Sequence, residues 1–198
     1  MLYAFDVYGT LFDVNSIVSE IGSIELVNEW RRKQLEYTWL LTLMGRYESF
    51  WEITKKALVY AMKKFNVSID VDKAMKAWLN LRPYEDVVEA LPKINARKVT
   101  LTNGDEWMIR ELLKNSNLLN YFDDIITAEK VKKYKPAKDV YKLVEGAIFV
   151  SSNPWDIAGA HNSGLKVIYV NRYGYNLEEI DIGGGLKIVK SLKELIIS

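Results

Sequence analysis

The chain of 198 residues contains no cysteine and a single histidine, His161. The lack of cysteine excludes disulfide bonds, thiol nucleophiles and cysteine-ligated zinc, and one histidine cannot build a poly-histidine metal centre. A Ser-His-Asp triad would have to use His161, but no G-x-S-x-G elbow accompanies it. We therefore interpret His161 as structural. Any catalysis must rest on carboxylate, hydroxyl, amide, Lys and Arg side chains.

The chain also lacks an excess of charge of either sign, because 27 Lys and Arg residues oppose 26 Asp and Glu residues and leave a net charge of +1. Electrostatics gives no reason to expect a nucleic-acid or membrane partner. No apolar run reaches the roughly 18 residues of a membrane span. The N-terminus has no basic lead of a secretory signal, so we expect a cytoplasmic protein. The single glutamine, Gln34, and the many Lys, Glu and Ile residues are features shared with thermophilic proteins.

Apolar periodicity divides the chain into two kinds of segment. Residues 2–6 are typical of a buried strand, and the region from about Ser16 to Leu81 has apolar residues at helical spacings of three and four. This region predicts helices at roughly 16–22, 24–44, 47–65 and 71–80, the last capped by Asp70 or Asp72. Arg82-Pro83-Tyr84 then has the character of a linker.

Strands and helices alternate in the rest of the chain. Strands are predicted at 97–102, 123–127, 147–151 and 166–170, with an edge strand at 186–190. Helices are predicted at 105–116, 137–144, 155–163 and 191–197, and the Gly183-Gly184-Gly185 run predicts a turn. Such alternation indicates a parallel sheet covered on both faces. The predicted fold is α/β: a Rossmann-like core of residues 1–14 and 84–198, with residues 15–83 inserted as a helical cap.

Polar residues follow several of the predicted strands. Asp6 and Thr10 follow the first strand, Thr102-Asn103-Gly104 the second, and Ser151-Ser152-Asn153 with Asp156 a later one; a loop adds Tyr134-Lys135-Pro136. Ligands bind open α/β sheets outside the carboxyl ends of the strands. The sequence therefore predicts that these groups converge in one crevice.

These segments resemble the motifs of the haloacid dehalogenase superfamily, in order and spacing. Phe5-Asp6-Val7-Tyr8-Gly9-Thr10-Leu11 resembles the first motif, D-x-D-G-T-L, with Tyr8 replacing the second Asp. Thr102-Asn103-Gly104, Lys135-Pro136 and Ser151-Ser152-Asn153-Pro154-Trp155-Asp156 resemble the other three. The Trp30–Trp39 segment and Ser-Ser-Asn-x-Trp-Asp narrow the resemblance to the L-2-haloacid dehalogenases. The resemblance covers essentially the whole chain.

The resemblance implies hydrolysis of short L-2-haloalkanoic acids to D-2-hydroxy acids with inversion. Asp6 would displace the halide and form an ester, which water then cleaves. Lys135 would favour the charged form of Asp6, and Asp156, with Asn153, would activate the water. A superfamily phosphatase needs Mg²⁺ and a second acid. Since Tyr8 and Asn153 replace carboxylates, we expect no metal and no cofactor; a halide leaves without a proton.

Further residues have expected roles around the substrate. Thr10, Thr102 and Asn103 are candidates to bind its carboxylate, and Ser151 to orient Lys135 or Asp156. By the resemblance, the positions that enclose the alkyl group and halogen are matched by Tyr8, Leu35, Phe50 and Trp155. Tyr141 would form a hydrogen bond into the site from outside this enclosure. Packing alone is an alternative for Leu35 and Phe50, and strand-end hydrogen bonding for the hydroxyl groups.

Arg31 is notable without any resemblance. On a helix over 24–44 it shares a stripe with Ile24, Val27, Leu35 and Trp39. A cation among apolar residues needs a partner or a ligand. The resemblance makes that ligand the departing halide, and a structural salt bridge is the alternative. Arg32 points about 100° away and is expected in solvent.

Two alternative functions remain open from the sequence: a Mg²⁺-dependent phosphomonoesterase of the same superfamily, and a non-catalytic binding module of the same fold. The resemblance also implies a homodimer whose partners are a 2-haloacid and water.

Overall fold

Six parallel strands form the sheet predicted from the alternating half of the chain. The computed structural model describes residues 1–180 and 186–196; the predicted turn at Gly183-Gly184-Gly185 lies outside them. The strands are β1 (Leu2–Phe5), β4 (Arg97–Thr102), β5 (Asp124–Thr127), β6 (Ile148–Ser151), β7 (Lys166–Val170) and β8 (Leu186–Val189). Their spatial order, β5-β4-β1-β6-β7-β8, is that of Rossmann-type folds. The predicted α/β fold is confirmed.

The central strand β1 is set by its apolar sequence and its two neighbours. Ala4 and Phe5 are fully buried, as in a sheet covered on both faces. Phe5 pairs with Thr100 of β4 on one side and with Val150 of β6 on the other. The order of the sheet reverses beside β1, which leaves a crevice at its carboxyl end.

Most of the predicted helices are present with slightly different bounds. The α-helices are α1 (Val18–Ile21), α2 (Ile24–Leu43), α3 (Phe50–Phe65), α4 (Val71–Trp78), α5 (Glu85–Ala90), α6 (Glu106–Asn115), α7 (Lys138–Tyr141) and α8 (Pro154–Asn162). Side chains of Ser23, Ser49 and Asp70 accept backbone N–H bonds at the starts of α2, α3 and α4, which fixes where those helices begin. No helix in the described residues is long and apolar enough to cross a membrane.

Helices α1 to α4 form an insertion between two very short strands, β2 (Phe12–Asp13) and β3 (Arg82–Pro83), which pair antiparallel. The backbone N–H of Tyr84 also bonds to the carbonyl of Leu11 at 3.0 Å. The segment expected to be a plain linker is therefore half of a two-stranded ribbon that joins the two ends of the insertion.

Several elements differ from the sequence prediction. Helix α5 was not predicted. The helix expected at 16–22 is a 3-10 turn over Val14–Ile17 followed by the single turn of α1. Likewise, α7 continues only as 3-10 helix, and the terminal helix expected at 191–197 is a 3-10 segment, Leu192–Leu195.

Candidate active site

The Asp6 carboxylate lies directly after β1, in the crevice at the end of the sheet, and the residue is only 4% exposed. Its Oδ1 accepts a bond from Lys135 Nζ at 2.8 Å. Its Oδ2 accepts bonds from the Thr10 hydroxyl and from Asn153 Nδ2, both at 2.7 Å. Ser151 Oγ adds a longer contact to Oδ2 at 3.4 Å. The two carboxylate oxygens are therefore held unequally, with one donor on Oδ1 and three on Oδ2.

Lys135 is 1% exposed and joins the two buried carboxylates of the site. Its ammonium group lies 2.8 Å from Asp6 and 2.6 Å from Asp156, and it donates a third bond to the carbonyl of Leu101 at 3.0 Å. Burial lowers the pKa of Lys135, but the two carboxylates outweigh burial and raise it above its usual value. By contrast, Lys133 in the same loop is half exposed and pairs with Asp139.

Asp156 lies on the far side of Lys135 and is completely buried in α8. Its Oδ1 accepts a 2.6 Å bond from the Tyr141 hydroxyl, and its Oδ2 accepts a 3.2 Å bond from Ser151. Burial raises the pKa of Asp156 to about 6, although Lys135 opposes the shift. Ser151 therefore lies against Asp156 and Asp6, rather than against Lys135.

Thr10 is not positioned to bind a substrate carboxylate, which corrects that expectation. Its hydroxyl donates to Asp6 and accepts from the backbone N–H of Ser152 at 2.8 Å, and the residue is fully buried. The turn that brings it back to Asp6 passes through Gly9, whose φ of +85° suits glycine. Thr10 thus fixes the orientation of Asp6 and links it to the end of β6.

A small chamber of about 10 Å³, room for about one water molecule, lies in front of Asp6. Its lining comes from the core and from the insertion: Asp6, Tyr8, Arg31, Leu35, Phe50, Thr102, Asn103, Lys135 and Trp155. Asn103 Oδ1 accepts from the backbone N–H of Lys135 at 2.9 Å, which leaves its buried Nδ2 without a partner among the described residues. The hydroxyl of Thr102 accepts from the N–H of Gly104. Asn103 therefore offers the chamber an unused donor.

Arg31 brings a positive charge to this chamber from α2. In the part of the chain that the structure describes, no carboxylate lies within ion-pair distance of it. Its Nη1 donates to Gln34 Oε1 at 2.7 Å, and its guanidinium carbon lies 5.8 Å from the Tyr8 ring. Arg31 also lines a wider surface pocket beside Tyr84 and Asn153, and so separates the chamber from solvent.

Other members of the predicted stripe on α2 behave differently. Val27 is buried and Trp39 packs edge-on against Trp155, 5.7 Å between ring centres. Ile24 is 39% exposed, so the stripe does not extend to the start of the helix as expected. Arg32 is exposed but not simply solvated, because it pairs with Glu29 and Glu36. His161 lies in the last turn of α8 and does not line the chamber.

The donor set does not fit a magnesium site. Lys135 Nζ already occupies the position between Asp6 and Asp156 where a bridging cation would stand. Asn153 donates an N–H to Asp6, and a coordinating amide would have to turn its oxygen instead. Within residues 1–180 and 186–196, no group of three or more His, Cys, Asp or Glu side chains is arranged to hold a metal ion.

Two supporting residues were missed by the sequence reasoning. Asp105 accepts the backbone N–H bonds of Phe50 and Trp51, both at 2.9 Å, and so fastens the start of α3 to the core. Burial raises the pKa of the Asp105 carboxyl. Gly159 lies where any side chain would collide with Tyr141. The signal for Asp105 was its place directly after Thr102-Asn103-Gly104; for Gly159 the sequence carried none.

Comparison with known proteins gives a consistent assignment. Residues 3–170 match the family described as haloacid dehalogenase-like hydrolases. The chain is similar to (S)-2-haloacid dehalogenase H-109 of Pseudomonas putida (38% identity, 89% of this chain, 88% of the relative). It is also similar to haloacetate dehalogenase H-2 of Moraxella sp. strain B (36% identity, 89% and 88%). The solved structure of L-2-haloacid dehalogenase from Xanthobacter autotrophicus with chloropropionic acid covalently bound superimposes with a TM-score of 0.92 (30% identity, 99% and 96%).

Proposed function

Since this chain belongs to the haloacid dehalogenase-like hydrolases, we propose that it is an (S)-2-haloacid dehalogenase. It hydrolyses short L-2-haloalkanoic acids to D-2-hydroxy acids, and its other reactant is water. The observation that carries this proposal is the Asp6 carboxylate, held by Lys135 and lining the same chamber as the cation of Arg31. Relatives with 36–38% identity are named as dehalogenases of 2-haloacids or haloacetate.

The first chemical step is displacement of halide by Asp6. Oδ1 has the fewer hydrogen-bond donors, so it keeps lone pairs for attack on C2 of the substrate, which forms the C–O bond as the C–halogen bond breaks. In-line attack inverts the carbon. Lys135 stabilises the attacking carboxylate, and exclusion of water by the chamber makes the displacement easier.

The substrate has complementary groups around it. Arg31 stabilises the negative charge that develops on the halide, because a guanidinium stays charged and Arg31 forms no ion pair with a carboxylate among the described residues. Asn103 Nδ2, with Thr102, binds the substrate carboxylate. Leu35, Phe50, Trp155 and Tyr8 enclose the alkyl group and the halogen.

The second step is hydrolysis of the Asp6 ester by water. Water attacks the carboxyl carbon of Asp6, and the negative charge that builds on Oδ2 is met by donors already in place, Thr10 and Asn153 at 2.7 Å and Ser151 at 3.4 Å. One proton of the water goes to Asp156, whose pKa of about 6 suits a base near neutral pH. The bond between the Asp6 carboxyl carbon and the ester oxygen Oδ1 then breaks, and that oxygen takes the proton back from Asp156 and leaves as the hydroxyl of the product, while the Asp6 carboxyl releases its remaining proton to solvent.

The phosphomonoesterase alternative is not favoured. A phosphate ester needs an acid to protonate its leaving group, and Tyr8 stands where that acid would be. Burial raises the pKa of Tyr8 far above its usual value, so the phenol is not a proton-transfer group near neutral pH. We therefore propose that the reaction needs neither a metal ion nor an organic cofactor. Phosphate release from p-nitrophenyl phosphate that depends on Mg²⁺ would contradict this.

Halide release from each enantiomer of 2-chloropropionate, with and without EDTA, tests the function directly. We expect chloride from the L-form, D-lactate as product, and no effect of chelation. A binding module would release chloride from neither enantiomer while remaining folded. Turnover in water enriched in ¹⁸O should place the heavy oxygen in Asp6, detectable by peptide mass spectrometry, because the ester is cleaved at the Asp6 carbon.

Asp6→Asn is the variant that tests the nucleophile, and Asp139→Asn is its matched control. Both remove one carboxylate that pairs with a lysine, but Asp139 is half exposed at the surface. We expect loss of turnover in the first and unchanged turnover in the second. Residual turnover in Asp6→Asn would require a different nucleophile.

We further propose that residues 15–83 act as a cap on the core, and that two chains form a homodimer. Exposed apolar residues at the end of α2 and just after it, namely Leu40, Leu43 and Met44, support a self-association surface. Light scattering of the wild type and of Leu43→Lys tests the dimer. We expect the introduced charge to dissociate it.

We also propose a cytoplasmic location without a nucleic-acid partner, which cell fractionation and a binding assay at low salt would check.

A further inference from the structure

Gln34 is the centre of a chain of hydrogen bonds that ends on two residues of the chamber. It is fully buried between α2 and α3. Its Oε1 accepts from Arg31 Nη1 at 2.7 Å, and its Nε2 donates to the hydroxyl of Thr54 at 2.6 Å. That hydroxyl donates in turn to the carbonyl of Phe50 at 2.6 Å. Arg31 and Phe50 both line the chamber.

The direction of this chain is fixed by the chemistry of its ends. Arg31 can only donate, so the Gln34 atom that faces it must be the oxygen. The amide nitrogen then faces Thr54, which has to accept and is left with its own proton for the Phe50 carbonyl. Only this order gives each of these groups a hydrogen-bond partner. The bond from Gln34 to Thr54 therefore fixes the orientation of the amide oxygen that faces Arg31.

The charge environment of Arg31 differs from that of the two cations that follow it. Arg32 pairs with Glu29 at 2.7 Å and with Glu36 at 2.6 Å, and Lys33 pairs with Glu36 at 2.7 Å. Of these three side chains, Arg31 is the one that donates a hydrogen bond to a neutral amide instead of a carboxylate. A carboxylate at this point would neutralise the guanidinium, whereas an amide orients it and leaves its charge available.

We propose that Gln34, held in place by Thr54, is a positioning residue that orients the guanidinium of Arg31 toward the halide in the chamber. The proposal rests on the function proposed above, because it needs a halide beside Arg31. It adds a requirement for a neutral, two-sided hydrogen-bonding side chain at position 34.

Two variants of Gln34 separate orientation from charge. Gln34→Glu keeps the size and the acceptor but adds a negative charge 2.7 Å from Arg31, so it should weaken bromide binding and lower kcat by about tenfold or more. Gln34→Met removes both hydrogen bonds without adding charge, and a loss of roughly threefold to tenfold in kcat is expected. KM should change less than kcat in both, because the charge on the halide develops in the transition state.

Thr54→Val removes the hydroxyl that accepts from Gln34, so its kinetics should resemble those of Gln34→Met. Thr54→Ser keeps the hydroxyl and should have wild-type kinetics. Thr38→Val is the matched control, since Thr38 is also buried and bonds to a carbonyl on its own helix, at Leu35. We expect it to lose stability without losing bromide affinity.

Bromide affinity is measured by titration calorimetry without substrate, beside kcat, KM and the melting temperature. If Gln34→Glu binds bromide and turns over like the wild type, or if all kinetic losses follow the melting temperature, the proposal is wrong. If the wild type binds bromide but releases no halide from substrate, the proposed function fails while the Gln34 proposal is still decided by calorimetry. If the wild type does neither, both fall together.

Discussion

Replacing Gly159 with alanine tests whether the contact between Tyr141 and Asp156 supports catalysis. Gly159 lies inside α8, where alanine is normally the better residue by about 1 kcal/mol. Helix propensity alone therefore predicts that the variant is more stable than the wild type. The structure predicts the opposite sign.

The reason lies in the space around Gly159. An added Cβ would stand 2.6 Å from the Tyr141 hydroxyl oxygen and 2.6 Å from Pro136 Cβ, distances that packed atoms do not adopt. Tyr141 would have to move off its 2.6 Å bond to Asp156. Overpacking costs about 1–3 kcal/mol and loss of a bond to a charged group about 1.5–3 kcal/mol. After the helix gain, we expect about 1.5–5 kcal/mol less stability, or a melting temperature lower by about 3–20 °C.

The kinetic consequence has a distinct signature. The Tyr141 bond lowers the pKa of Asp156, which burial sets at about 6, so its loss should raise that pKa further. Asp156 must be ionised to take a proton from water. The pH below which kcat falls should therefore move upward, and kcat should recover under alkaline conditions.

Tyr141→Phe, which lacks the hydroxyl but leaves the packing intact, should show the same shift with a smaller loss of stability. The two changes together should be less than additive, since they remove one bond. A Gly159→Ala variant with raised stability and an unmoved acid limb would refute this reasoning.

Three further results are expected. In the wild type, kcat should fall as pH drops through about 6, because protonated Asp156 cannot act as a base; Asp156→Asn should abolish turnover at every pH, and a pH-rate series checks both. Lys135→Met should lower stability by about 3–5 kcal/mol at neutral pH, because two buried carboxylates lose their shared cation. Urea unfolding should show a smaller loss at acid pH, where Asp156 is protonated, and an equal loss would argue against this charge arrangement. Asp105→Asn should lower stability by about 1–3 kcal/mol and reduce turnover, because one backbone N–H at the start of α3 loses its acceptor and Phe50 shifts; full activity with an unchanged melting temperature would contradict it.

Much of the sheet could be predicted because buried parallel strands are continuous apolar runs. The bounds of β4 and β7 agree with the prediction at both ends, and β1, β5 and β6 differ by a single residue. The rule that parallel strands end at one edge then sufficed to bring Asp6, Asn103 and Asp156 into the same crevice. The ribbon of β2 and β3 was not predictable, since two residues per strand carry no periodicity. Helix α5, with six residues, is similarly too short for its apolar pattern to stand out.

The hydrogen-bond partners of a side chain were harder to predict than the region of the fold in which that side chain lies. The sequence placed Thr10 near the substrate, but a hydroxyl shared between Asp6 and the N–H of Ser152 depends on how two strand ends meet. In the same way, the need for glycine at 159 arises only because Tyr141 crosses α8 on its way to Asp156. Such constraints come from tertiary distances of a few tenths of an ångström, which no spacing along the chain encodes.

The charge environment of Arg31 could be predicted in part from the sequence, while its remaining contacts depend on the tertiary structure. On a helix, partners stand three or four residues away. Arg32 has Glu29 and Glu36 at those spacings, whereas Arg31 has Val27, Asn28, Gln34 and Leu35, with no acid among them. The helix alone therefore leaves Arg31 without a counter-charge, and only an acid from another element could supply one. Asp6 and Asp156 do so from the core, beyond ion-pair distance, and α3 contributes the hydroxyl of Thr54, which holds Gln34. Burial lowers the pKa of Arg31, so its cation, without an ion-pair partner among the described residues, is costly for the free protein. It is explained if an anion occupies the chamber during turnover, as a departing halide would.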